Sequence, residues 1–176
     1  MNTRHLLLLA SLALTMPLAA QTPQEDFKRD ITLSGSNYVA YRGPQKQLTP
    51  APKGYKPFYL SHYGRHGSRY MIGKQAYDVP YFSLLKAKQK GKLTAKGEET
   101  LEKVKMIREE ARGRDGELTP LGALQHQGIT KRMMERFPEI FAGNTNIEAR
   151  STTVIRCILS MENGLQQMLR MNPKLH

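Results

Sequence analysis

Between Tyr59 and Tyr70 the chain reads Tyr-Leu-Ser-His-Tyr-Gly-Arg-His-Gly-Ser-Arg-Tyr, placing His66 between Arg65 and Gly67 with Arg69 close behind. Arginine stays charged, and its planar fork donates two hydrogen bonds at once, which suits the oxygens of a phosphoryl group. A neutral imidazole nitrogen can attack phosphorus and form a covalent intermediate, dividing one hard step into two. Phosphomonoester hydrolysis is among the slowest uncatalysed reactions, so fixed cations around the phosphoryl oxygens are what a catalyst must supply. Gly67 leaves room beside the histidine and tolerates backbone angles that other residues resist. A solvated surface turn would use the same residues for nothing. His62 and His66 also stand at the spacing of a metal-ligand pair, but that spacing converges on one ion only along a helix. Gly64 lies between them, so no metal site is expected.

The elements that must position these residues can be read on either side. Phe58–His62 is short and aromatic-rich, and predicts a strand running into Gly64 and Gly67. In open α/β sheets ligands bind beyond the carboxyl ends of strands, so His66 stands where chemistry is expected. Thr94 predicts a helix cap, Leu101, Val104, Ile107 and Ala111 share one stripe, and Gly113 marks the stop. A second helix is announced by Thr119 as cap and Pro120 at the first position, with Leu121, Leu124, Gly128, Ile129 and Met133 along one face. His126 falls in this helix, where a structural role fits the surrounding start signal. A second strand is predicted over Asn146–Arg150, then a Ser151-Thr152-Thr153 cap. The helix that follows carries Ile155, Ile158, Leu159, Leu165, Met168 and Leu169 and ends at Asn172-Pro173. Strand, helices, strand, helix is an α/β order with strands joined by crossovers.

The chain has 176 residues, a length suited to one domain. Arg4, the apolar run Leu6–Leu14, Pro17 and the small pair Ala19-Ala20 predict a secretory signal peptide over 1–20, so the mature chain is expected outside the cytoplasm, secreted or periplasmic. The run is too short for a spanning helix, which needs about 20 apolar residues, and no stable membrane insertion is expected once it is cleaved. Residues 21–57, with Pro44, Pro50, Pro52 and Pro57, predict an extended surface arm, and 58–176 the α/β domain. The formal net charge of +12 concentrates anions at the surface. Nucleic acid is not the expected partner, because the basic residues gather on one histidine without interleaved aromatic stacking platforms. The lone Cys157 has no internal disulfide partner and is expected to be a buried structural residue.

Arg65-His66-Gly67-Ser68-Arg69 resembles the Arg-His-Gly-x-Arg signature of the histidine acid phosphatases, the branch of the histidine phosphatase superfamily that includes phytases. Two further stretches agree in order and spacing. Leu118-Thr119-Pro120-Leu121-Gly122 is similar to the family's Leu-Thr-x-x-Gly helix start, and Arg150-Ser151-Thr152-Thr153-Val154-Ile155-Arg156 to its second conserved strand end. Tyr70, Arg156-Cys157 and Ser160 are most similar to the multiple inositol polyphosphate phosphatase group.

The resemblance covers about Phe58 to Pro173. It implies a mixed, mostly parallel central sheet flanked by helices, incomplete in this chain. His66 would be the nucleophile, with Arg65, Arg69 and Arg156 holding the phosphoryl group. Arg156 would sit in a first helical turn, where the dipole also favours an anion. Arg150 would touch substrate or fasten the strand end. The implied activity is a secreted phosphomonoesterase working through phosphohistidine on inositol polyphosphates such as phytate, with no cofactor and no metal. A phosphoglycerate-type phosphatase or mutase and a non-catalytic phosphate binder are the alternatives. Two departures stand out: Met71 replaces the family's proline, and no His-Asp or His-Ala-Glu triplet follows Arg156. The second implies a truncated, N-terminal part of a family member whose catalytic apparatus lacks its proton donor.

Overall fold

The computed structural model describes residues 22–39, 41, 43 and 49–176. The segment expected to be a signal peptide, residues 1–20, lies outside the described residues. The chain divides into two units, Met1–Tyr41 and Arg42–His176. In the first, α1 (Pro23–Arg29) precedes a 3-10 helix (Ile31–Tyr38). An extended arm was the expectation here. The helix forms because Thr22, Pro23 and Glu25 make a complete capping box: the Thr22 hydroxyl accepts from Glu25 N–H, while the Glu25 carboxylate accepts from Thr22 N–H.

The second unit holds α2 (Gln75–Gln89), α3 (Ala95–Glu110), α4 (Pro120–Arg136) and α5 (Ile155–Met171). Thr94 and Thr119 cap α3 and α4 as predicted, each hydroxyl accepting the N–H three residues on, from Gly97 and Gly122. The cap of α5 is Val154 instead of the Ser-Thr-Thr run, and it makes no side-chain capping bond. Among the described residues no helix is long and apolar enough to cross a membrane.

The α/β architecture expected from the sequence is corrected. Among the described residues every regular element is helical, and extended pairing is reduced to one isolated antiparallel bridge between Arg69 and Leu118. A strand exists only through its neighbour's hydrogen bonds, and composition alone does not supply the neighbour. Phe58 and Tyr59 are 95% and 74% exposed rather than laid in a ladder. The stretch around Ile147 meets the chain end instead, with Ile147 N donating to His176 O at 2.6 Å and His176 N to Thr145 O at 3.4 Å.

The helices of the second unit form two pairs of opposite sense. Lys88 bridges Glu98 and Asp78 bridges Arg108. As one number falls the other rises, so α2 and α3 run antiparallel. Across α4 and α5, Gln127 bonds Asn163 and Thr130 faces Gly164, while Met134 and Met168 share the core. These numbers rise together, so α4 and α5 run parallel, with both N-termini at the same end. Residues 137–154 carry the chain back between them. Met134, Phe141 and Leu175 form the buried core beneath that return, with Leu60, Ile147 and Met168 against it.

The predicted apolar face of α4 is turned. Leu121 and Leu124 are 49% and 62% exposed, while Gly122, Thr130 and Met134 are buried. On α5 the buried residues are Ser160 and Gly164. Small residues face one another because the backbones approach closely: a Cβ on Gly164 would lie 3.1 Å from Thr130 Oγ1.

Candidate functional site

The loop 65–70 seats on the shared N-terminal end of α4 and α5. Thr119 N and its hydroxyl both donate to Ser68 O, each at 2.9 Å. Tyr70 N donates to Glu117 O and Gly116 N to Met71 O, both at 2.9 Å, so the loop and the segment before α4 are laced together. Contact is closest at two glycines. A Cβ on Gly67 would lie 2.4 Å from Gly122 O, and one on Gly122 would lie 2.2 Å from Ser68 O. Nothing larger than hydrogen fits at either position.

From α5, the Ser160 hydroxyl accepts from Gly67 N–H at 3.0 Å and donates to Arg156 O at 2.7 Å. From α4, Gln125 Oε1 accepts from Ser68 N–H at 2.8 Å. On the other side, Tyr70 is buried and its hydroxyl donates to Glu110 Oε1 at 2.8 Å, with the Arg114 guanidinium stacked 4.4 Å over the ring. That hydrogen bond to Glu110, reinforced by burial, holds the phenol above its ordinary range.

Within this setting His66 is half-buried, and its Nδ1 lies 2.8 Å from Gly67 O. A carbonyl can only accept, so Nδ1 carries the proton in the neutral ring and the lone pair is left on Nε2. Arg69 donates from Nη1 to Tyr70 O at 2.9 Å, and Arg156 from Nη1 to Gly116 O at 3.4 Å. The Nε atoms of both arginines are buried without an acceptor among the described residues. Orphaned charged donors are costly unless an anion meets them. Arg156 lies in the first turn of α5, whose leading N–H groups have no side-chain cap. An open hollow of about 480 Å³, lined by Asp115, Gly116, Glu117, Leu118, Val154, Ile155, Arg156 and Leu159, lies against this turn.

Of the residues singled out in the sequence, His66, Arg69 and Arg156 are thus joined through one set of loop contacts. Arg65 is exposed, and its backbone bonds the His126 ring. Arg150 is exposed and ion-paired with Glu148, and among the described residues no hydrogen bond ties it to the loop. His126, expected to be structural, stands close enough to His62 and His66 to feel both; burial first, and then their charges, lower its pKa from the ordinary 6.5. His62 is exposed on an irregular segment, off any helix, and no group of three or more His, Cys, Asp or Glu able to hold a metal occurs among the described residues. Cys157 is half-buried on α5.

The sequence motifs include Ser160 without assigning it work, and they do not single out Gln125. For Ser160 the signal was available: it falls one helical turn after Arg156, on the same face.

No protein-family model matches the chain, and no curated protein matches it. Among solved structures, the chain is similar to Bifidobacterium longum multiple inositol polyphosphate phosphatase in complex with inositol hexasulfate, with a TM-score of 0.57 and 26% sequence identity. The similarity covers 77% of this chain and 29% of that one. The geometry around His66 therefore sits in a fold similar to part of a phosphatase crystallised with a polyanionic inositol ester.

Proposed function

We propose that this chain carries the phosphate-handling site of a phosphomonoesterase that acts on inositol polyphosphates through a phosphohistidine. The observation that carries the reading is the pair of buried, unpartnered guanidinium Nε atoms, Arg69 and Arg156, on the loop and helix turn that hold a histidine with its lone pair on Nε2. In the proposed reaction Nε2 attacks phosphorus as the bond to the leaving oxygen breaks, and the leaving alkoxide takes up a proton from water. Water then attacks the phosphorus of phosphohistidine, releasing inorganic phosphate and returning the electron pair to Nε2. Arg65, Arg69 and Arg156 neutralise the phosphoryl oxygens, and the converging N-termini of α4 and α5 add their partial positive charge. The net charge of +12 favours a multiply phosphorylated substrate by raising its local concentration. Similarity to the Bifidobacterium enzyme supports the same substrate class. Arg4 and the apolar run after it support an exported protein.

The test is phosphate release from inositol hexakisphosphate by the full chain, with acid- and base-quenched samples probed for an acid-labile phosphoenzyme. The unmodified chain should yield both, with release slower by about 10²–10⁴-fold than at a site with a positioned general acid, and His66→Ala neither. Ordinary turnover by His66→Ala would remove His66 from the chemistry. Binding without turnover in the unmodified chain would leave a phosphate-binding module in its place.

A further inference from the structure

We infer that Gln125 is a positioning residue that sets the tautomer of His66 through the intervening peptide, an inference resting on the proposed role of His66. The Gly67–Ser68 peptide unit is engaged at both ends. Its carbonyl, Gly67 O, accepts from His66 Nδ1 at 2.8 Å, and its N–H, on Ser68, donates to Gln125 Oε1 at 2.8 Å. Donation at one end of an amide makes the carbonyl at the other end a better acceptor, because the bonds in such a chain polarise one another. The side-chain carbonyl of Gln125 therefore pulls on the N–H, the Gly67 oxygen gains electron density, and the proton on Nδ1 is held more firmly. The lone pair is kept on Nε2 as a result. The same logic governs metal-binding histidines, where the partner of one ring nitrogen decides the state of the other.

The surrounding contacts leave this peptide little freedom to turn away. Ser160 on α5 accepts the preceding N–H, from Gly67, and Thr119 holds the following carbonyl, Ser68 O, with two hydrogen bonds. Three consecutive peptide units after the nucleophile are thus pinned by side chains or caps. Only the middle one touches the imidazole, and Gln125 is its counterpart on α4. The oxygen of Gln125 is fixed by chemistry, since an N–H needs an acceptor opposite it.

The experiment compares the unmodified full chain with Gln125→Met and Gln125→Glu. The first substitution keeps bulk and removes the acceptor; the second restores it. Two-bond ¹H–¹⁵N correlation spectra at alkaline pH, with His66 assigned by the loss of its signals in His66→Ala, report which ring nitrogen bears the proton. The unmodified chain and Gln125→Glu should show the Nδ1–H form, and Gln125→Met a shift toward Nε2–H. In steady-state turnover of inositol hexakisphosphate, Gln125→Met should lose kcat by about tenfold to a hundredfold, by analogy with the loss of the partner that orients a metal-bound imidazole, with KM nearly unchanged. Gln125→Glu should recover most of it. An unchanged Nδ1–H tautomer in Gln125→Met overturns the inference whatever the rates do, and so does an Nε2–H tautomer in the unmodified chain. Should Gln125→Met fail to fold, Gln125→Asn, one carbon shorter, poses the same question. The tautomer can be read without turnover, so an inactive unmodified chain counts against the proposed reaction alone, and the spectra still decide the role of Gln125.

Discussion

The two helix pairs of the second unit are alike in length and unlike in everything that bears on the site. In α2 and α3 the helices oppose, so their dipoles do too, and a short turn through Gly91 joins them. Their contact relies on side chains reaching across: Lys88 to Glu98, and Arg108 to Asp78 while stacked on Tyr81 and Phe82. Leu101 is the buried residue α3 contributes, and α2 buries none fully. In α4 and α5 the helices run together, and small residues at Thr130, Ser160 and Gly164 let the backbones close in beside the Gln127–Asn163 bond and the Met134–Met168 core. Both pairs leave large apolar residues exposed, Leu121, Leu124 and Leu159 here and Val79, Phe82, Met106 and Ile107 on α2 and α3. The parallel arrangement gives a doubled N-terminus, where two partial positive charges add instead of cancelling. The loop carrying His66 sits on the parallel pair. An anion site needs aligned donors more than it needs a large core, and the parallel pair offers them.

The widest separation between the pairs should come from glycine. Gly122→Ala drives a Cβ to 2.2 Å from Ser68 O and 2.7 Å from Leu118 Cδ1. Even after the usual helical gain of alanine, about 2–3 kcal/mol of stability should be lost in urea unfolding, with the His66 loop displaced. Gly91→Ala, in the α2–α3 turn, meets no atom within 4 Å and has only its φ of +62° to contend with, a cost of about 1 kcal/mol. Equal losses at the two positions would mean that the His66 loop does not press on α4 at Gly122 as the close approach to Ser68 requires.

Next in size is Arg108→Ala, which removes a partly buried ion pair together with the stacking on Tyr81 and Phe82. We expect about 1–2 kcal/mol of stability to go and phosphate handling at His66 to be unaffected. A change in activity as large as the change in stability would mean that the antiparallel pair also supports the site.

The smallest effect is on pH dependence, and it belongs to the α4 side alone. His126 is held below its ordinary 6.5 by burial, so the fold prefers the neutral ring. Its contribution is complete above 6.5 and declines as pH falls from there through the lower folded value, because the unfolded chain takes up the proton first. Glu99 on α3, held below its ordinary range by Lys103 and Lys96, stays ionised across that window. Urea midpoints at pH 7.5 and 5.5 should therefore converge in His126→Gln relative to the unmodified chain. An identical gap in both proteins would clear His126 of the effect.

What could be read from the sequence was what the chain does locally. Thr94, Thr119 and Pro120 announce their helices because a cap involves only its own next few residues. The Thr22 capping box was equally legible and went unread amid the proline-rich surroundings. Helix α2 was hidden by Pro80 inside it and by the lack of a side-chain cap at Lys74. The strands were misjudged for the opposite reason: Phe58–His62 has strand composition, but pairing is decided by residues far away. The face of α4 was misread because the 65–70 loop selects Gly122, and closeness to α5 selects Thr130, over the larger leucines beside them. As for the site, its residue types were legible from Arg65 to Arg69. Ser160 had its helical-turn spacing from Arg156 as a signal, whereas the bond from Gln125 to this loop follows no local period and only the fold brings it there.

The parallel arrangement also bears on the order in which the molecule assembles. The α2–α3 hairpin closes through neighbours in sequence and can form as soon as its own residues exist. Gly67 must wait for Ser160, 93 positions later, and Ser68 for Gln125, 57 later. Loop-closure entropy and contact order both delay such pairings. During refolding, amides within α2 and α3 should gain protection in pulse-labelled hydrogen exchange before those of Gly67 and Ser68; simultaneous protection would mean the loop forms with the helices instead of after them. The residues proposed to handle phosphate would be translated early and put to use last.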